Sequence, residues 1–370
     1  MTVTVAGRAT GGAGGPARGT GVDVSQREDL ANFITMITRD ETPFMSSIGK
    51  AKATSIYHEW QTDELAAPGN SRIGEGQDYV APGAGTQTPA VGADFASVGP
   101  NRTRLGNYTQ INGKTVAVSG TRRAVDQAGV ADEYAYQLKK RGTEMRRDIE
   151  LDLVASGNVS AAAGSPGNPN ARTMGGFHAF INDAATVKFA GSGGSVSAGA
   201  ADGTGVVTLA NEADRGSLSL SLIDEVMQSI YEEGGKATKI MLSPKLRRDF
   251  SDLMVSDSGV RRNIDADGKL RQSVDIYMSD FGDLMVVPNY IMGLNAPAAG
   301  ANGGGAGSAA DHGNSAALIY DPMWFAMATL RPMQEVEVGQ RGDSTVGMFV
   351  EEMTLEVKNT KGCGAIYNLK

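Results

Sequence analysis

One amphipathic stretch, residues 130–156, constrains this chain more than any other feature. Val130, Tyr134, Leu138, Met145, Ile149 and Leu153 recur there at helical spacing, interrupted near Arg141 and Gly142. At 1.5 Å per residue this predicts a helix of about 40 Å. Asp132 and Glu133 fall in its first turn, where negative charge suits the macrodipole, and Gly157 is expected to cap its end. The opposite face carries Lys139, Lys140, Arg141, Arg146 and Arg147 against Glu144, Asp148, Glu150 and Asp152. It reads as a solvated, self-paired surface, with contacts between subunits as the alternative.

Upstream, residues 1–22 hold too few large apolar groups to offset the entropy of ordering, which predicts a mobile arm in the isolated protein. Leu30, Phe33, Ile34 and Ile37 then recur at helical spacing until Pro43 stops the pattern. Residues 53–65 alternate like a strand, with Ile56, His58 and Trp60 against Tyr57, Glu59 and Gln61. A Gly/Pro-rich stretch, 66–100, separates them from a second strand-like run at 102–119. Together they predict a long two-stranded extension with a loose tip. An isolated hairpin is marginal in water, and the chain offers it no evident cover, so a neighbouring subunit is the expected one.

Downstream, residues 157–216 are Gly/Ala/Ser/Asn-rich and predict loops with one or two short strands. A helix over 217–233 stopped by Gly234, a strand at 239–242 and a helix from Pro244 to about Met254 then predict a compact α/β lobe. Residues 274–292 read as a hairpin turning at 280–283, and 316–320 as a buried strand, with a Gly/Ala/Asn-rich loop at 293–315 between them. Strands at 324–330, 335–338 and 346–358 follow and are expected to pack beside the long helix.

The chemistry-bearing residues form no site with assignable roles. His58, His178 and His312 are far apart, without a second histidine at metal-ligand spacing. Cys363, the only cysteine, excludes an internal disulfide and reads as a buried thiol. Residues 263–274 place Asn263, Asp265, Asp267 and Gly268 as a calcium loop would, but Val274 stands where a bidentate glutamate is needed, so a turn is preferred. Arg341-Gly342-Asp343 lies between strands and is likewise read as a turn. No metal and no cofactor are expected. The net charge of −8 offers no basic field to hold polyanions. No apolar run is long enough to span a membrane and residues 1–20 lack the apolar block of a signal peptide, so the chain is expected to be cytoplasmic when made.

The order of elements and four local phrases carry a resemblance. The phrases are TPFMSSIGKAKATSIYHEWQTDEL (42–65), RRDIELDLVASG (146–157), IYEEGGKATKIMLSPKLRRDFS (230–251) and VDIYMSDFGDLMVVPN (274–289). The chain resembles the major capsid proteins of the tailed-phage and herpesvirus lineage. That resemblance implies an α+β fold with an N-terminal arm (1–52), an extended hairpin loop (53–119), a spine helix opening a peripheral domain (120–160), an α/β axial domain (161–320) and peripheral-domain strands (321–370). It implies a shell protein, not an enzyme. The chain would pair with itself in hexamers and pentamers of an icosahedral head, assembled in the host cytoplasm around DNA that it does not read by sequence, with no membrane role. Portal, scaffolding or decoration proteins are possible partners. Glu59, Asp63, Glu64, Arg72, Arg102 and Arg104 are the candidates for intersubunit ion pairs. The alternatives are the shell of a bacterial nanocompartment, which uses the same fold, and an extracellular adhesin or surface-layer protein.

Overall fold

The computed structural model describes residues 37–63, 65, 75, 102–125, 129–155, 157–162, 171–181, 183–196, 203–257, 275–294 and 314–370. In chain order the first elements are α1 (Pro43–Ser47), β1 (Gly49–Lys52), β2 (Tyr57–Thr62), β3 (Thr103–Tyr108), β4 (Gln110–Ser119), α2 (Gly120–Ala124) and α3 (Glu133–Val154). Next come α4 (Phe177–Phe180), β5 (Val187–Phe189), β6 (Ser195–Val196), β7 (Val207–Thr208), α5 (Leu220–Glu232), β8 (Lys239–Leu242) and α6 (Pro244–Asp257). The last are β9 (Ile276–Ser279), β10 (Gly282–Pro288), β11 (Ala317–Tyr320), β12 (Phe325–Arg341), β13 (Ser344–Val357) and β14 (Gly364–Tyr367).

Two sheets organise the molecule, a four-stranded one ordered β1-β12-β13-β4 and a six-stranded one ordered β5-β14-β11-β8-β10-β9. The central strands of the larger sheet, KIML, ALIY and GAIY, are continuous apolar runs because both faces are buried. Period-two alternation divides them between two cores. Ile240, Leu242, Ala317, Ile319 and Ile366 face α5 and α6, meeting Val226, Ile230 and Phe250. Met241, Leu318, Tyr320, Ala365 and Tyr367 face the other way, toward Phe177, Phe325 and the end of α3.

α3 is the expected long helix, shortened to 22 residues, or about 33 Å. Asp132 lies outside its first turn and caps it, accepting a bond from the Tyr134 amide at 3.0 Å, and the helix ends at Ala155 with no glycine cap. Its C-terminal half is core: Met145, Ile149 and Leu153 are buried at i, i+4 spacing with Phe44, Phe177 and Tyr320. The helix also lies along β4 and β13: near its start Tyr134 donates to Glu335 of β12 at 2.9 Å, and in its C-terminal half Asp148 pairs with Lys114 of β4 at 2.5 Å. The charged face is not uniformly solvated, because Glu150 is fully buried.

Several expectations change. Pro43 begins α1 as its first residue instead of ending a helix, since a missing N–H costs nothing there; the preceding pattern lies outside the described residues except for the exposed Ile37. The run 102–119 is two strands, as β3 pairs with β2 while β4 pairs with β13. The two late strands at 324–330 and 335–338 are one, β12, kept continuous through register shifts between Thr329 and Gly339. β14 joins the six-stranded sheet between β5 and β11, so segment 321–370 is divided between the two sheets. Residues 157–216 carry short strands among loops, as expected, with β5, β6 and β7, and one helical turn besides, α4.

Candidate assembly site

The root of the hairpin shows a strict two-face division. Register pairs Tyr57 with Tyr108, His58 with Asn107, Glu59 with Gly106 and Trp60 with Leu105. His58, Trp60, Leu105 and Asn107 therefore share the face that meets the body. The Trp60 indole donates to the Val357 carbonyl at 2.8 Å and its ring lies 5.9 Å from that of Phe180. The buried Asn107 amide donates to the carbonyls of Gly175 at 3.1 Å and Leu355 at 2.8 Å, and accepts from the Gly175 amide at 2.8 Å. His58 sits 3.3 Å from Glu356. This corrects the expectation that the chain offers the hairpin no cover, at least for its root. On the outer face Tyr57 and Tyr108 pack at 4.6 Å, and a Cβ at Gly106 would lie 2.5 Å from the Tyr57 ring, so a larger residue there would push that ring aside.

The six residues expected to carry intersubunit charge are only partly brought together. Arg104 lies 3.7 Å from Glu59 and Arg102 3.5 Å from Asp63, so these four form two exposed cross-strand pairs within one hairpin. Each contributes less than about 1 kcal/mol. Glu64 and Arg72 lie outside the described residues.

Thr109 is the elbow at which the chain exchanges β2 for β13 as its partner. Its amide donates to the Ile56 carbonyl at 2.9 Å and its hydroxyl to Glu352 at 2.8 Å, while its carbonyl accepts from Arg172 at 3.1 Å. Glu352, 4% exposed, also takes Arg172 at 2.5 Å and Arg331 at 2.8 Å. Residues over 200 positions apart thus fix the angle at which the hairpin leaves the body. Nothing in the local sequence marks Glu352 apart from a carboxylate doublet, Glu351-Glu352, that breaks the strand's alternation.

A second attachment holds the segment that leads in from the N-terminal side. Glu150 of α3 accepts from the amides of Phe44 and Met45, both at 2.8 Å, and from the Asn289 side chain at 2.8 Å. It caps α1 from outside the helix, while Phe44 packs against Phe177, Tyr320 and Phe325. Burial raises the Glu150 carboxyl above its ordinary range, against the pull of those three donors.

The remaining chemical candidates are structural where they are described. His178 donates through Nε2 to the Val154 carbonyl at 2.9 Å, so its Nδ1 accepts from the Tyr367 hydroxyl at 2.7 Å. Cys363 is buried, which pushes its thiol up to about 12. Arg341-Gly342-Asp343 forms the turn between β12 and β13. His312 and the calcium-like segment 263–274 lie outside the described residues. Among the described residues no cluster of three His, Cys, Asp or Glu could hold a metal ion, and no helix is long and apolar enough to cross a membrane.

A family model described as SU10 major capsid protein matches residues 16–370. The major capsid protein of Escherichia phage Phieco32 is 28% identical over 257 residues, covering 64% of this chain and 68% of that protein. Among solved structures, the capsid of cyanophage P-SCSP1u matches with a TM-score of 0.53 at 12% identity, covering 95% of both chains. An encapsulin complex from Synechococcus elongatus gives the same TM-score, 0.53, at 7% identity and 93% coverage of both chains. At such identities the likeness shows the fold alone, and it does not separate a phage head from a nanocompartment. The family match does.

Proposed function

Because the chain belongs to the SU10 major capsid protein family, and is therefore a major capsid protein forming the head of a tailed phage, we propose the manner in which it builds that head. Hexamers and pentamers of this chain close into an icosahedral shell around double-stranded DNA, assembled in the host cytoplasm. Residues 1–52 serve as an arm, 53–119 as an extended loop lying over the adjacent subunit, 120–160 and 321–370 chiefly as the peripheral domain and 161–320 as the axial domain. Glu59, Asp63, Glu64, Arg72, Arg102 and Arg104 exchange partners across the subunit boundary, a change that costs little because the described pairs are exposed. The acidic balance avoids sequence-independent adhesion to the packaged DNA. Portal, scaffolding or decoration proteins join the shell as separate partners.

The observation that carries this reading is the family match over residues 16–370, far beyond any one motif. Negative-stain electron microscopy of the expressed chain, after size-exclusion chromatography, tests it. Closed shells, tubes or hexameric rings support it, and a monomer that persists when phage head proteins are added overturns it. Deleting residues 66–100 should abolish shells while leaving a folded monomer.

A further inference from the structure

Among the described residues, β4 leaves one of its edges unpaired. β4 closes one side of the four-stranded sheet, and among the described residues only β13 pairs with it. The Gly120 amide donates to the Asp343 carbonyl at 2.6 Å, and this bond sets the phase of the ladder. Residues alternate in an antiparallel pair, so even-numbered positions of β4 bond to β13. The backbone groups of Ile111, Gly113, Thr115, Ala117 and Ser119 point outward.

Sheet edges are commonly blunted by shortness, bulges, proline or charge. The other edges of the two larger sheets follow that rule. β1 has four residues, two of them lysine, while β5 has three and β9 four. β4 has ten residues, no proline and no register shift against β13. Beside it lies an open groove of about 460 Å³ lined by Thr115–Ser119 together with Arg122, Glu133, Gln137 and Arg141. A long regular edge with room for side chains alongside is the geometry of strand addition.

We infer that this edge is extended by an N-terminal strand from a second copy of this chain, an inference that rests on the shell reading above. The occupant follows from chain length and topology. Residues 1–36 precede the first described residue, and extended they reach about 120 Å at roughly 3.3 Å per residue. Thr2, Val3, Thr4 and Val5 form a β-branched run suited to a sheet. The chain's own lead-in enters this sheet at β1, the edge opposite β4, so a neighbour's segment reaches β4 without crossing the sheet.

Amide hydrogen exchange on purified shells and on the unassembled full chain tests the inference. The outward amides of Thr115, Ala117 and Ser119 should exchange about 100-fold more slowly in shells, while Val116 and Val118 are protected in both states. Equal exchange in shells and free chain overturns the inference, whether the edge is open in both or already filled within one molecule. Protection that survives deletion of residues 2–12 overturns the assigned occupant. Ala117→Pro removes one outward donor and none of the bonds to β13, so it should leave melting nearly unchanged and cut shell yield at least several-fold. Normal shells from that variant also count against the inference. If the unaltered chain forms no shells with head proteins present, the shell reading itself has failed, whereas shells with an unprotected edge refute the strand alone.

Discussion

Glu352 and Glu150 are both buried carboxylates that tie an extension of the chain to its body, and they do so in opposite electrostatic settings. Glu352 holds the hairpin elbow with two guanidinium groups, from Arg172 and Arg331, and one hydroxyl. Glu150 holds the lead-in segment through three neutral N–H donors. The first attachment depends on charge, since removing the carboxylate leaves two cations facing each other. The second depends on shape, because any acceptor in that place caps α1.

Neutralising each carboxylate without changing its size separates the two cases. Glu352→Gln should cost about 3 kcal/mol, the lower end for breaking a buried pair, because Arg331 is 45% exposed and can turn toward water. Urea denaturation of the unassembled chain measures the loss, and a cost below about 1 kcal/mol would mean that charge does not hold the elbow. Glu150→Gln should cost no more than about 1 kcal/mol at pH 7. One bond is lost, because the amide NH2 cannot accept from a backbone N–H, but the charge that burial disfavours is gone as well, which offsets most of the loss. Glu150→Ala, which leaves three buried donors unmet, should cost about 2–3 kcal/mol. Equal losses for the two glutamine variants would erase the distinction.

Neither attachment was legible in the sequence, whereas much of what surrounds them was. The α5–β8–α6 unit could be read because its signals are local: Ser219 caps α5, Gly234 stops it with φ of 81°, and Ser243-Pro244 opens α6. The β9–β10 hairpin and the turn at residues 341–343 were equally local. The elbow escaped because Thr109 sits inside one unbroken alternating run, and only Ile56 and Glu352, 53 and 243 positions away, decide where that run changes partner. Glu150 escaped for the same reason. On the helix it is one charge among ten, and its burial is decided by Phe44 and Asn289, more than 100 positions away. Covering the hairpin root likewise required Trp60 and Asn107 to meet carbonyls near residue 356. Of the six charged candidates, four were placed on one hairpin, but their register, and so their pairing, needed the β2–β3 ladder.

The finest test of the contrast is the pH dependence that the shape-dependent side should show. Asp152, two residues beyond Glu150 on α3, accepts from Gln110 at 2.8 Å and Asn158 at 3.0 Å. Burial, opposed by those two bonds and assisted by the nearby Asp148 charge, pushes its carboxyl up to about 6 from 3.8. A folded-state value above the unfolded one means that the native chain holds the proton more tightly. The resulting stabilisation is present in full below about pH 4 and is lost as pH rises through about 6. Glu150 is shifted in the same direction and adds to the trend. Asp152→Asn cannot titrate, so between pH 4 and 7 the variant should gain on the unaltered chain. The gain should be about 1 kcal/mol, because solvent reaching this partly buried group reduces the full effect of the shift. Paired melting curves at pH 4, 5.5 and 7 measure that difference with other carboxylates cancelling between the two proteins. A gain on acidification instead would mean that the bonds from Gln110 and Asn158 outweigh burial. The lower half of α3 would then be held by charge, as the elbow is.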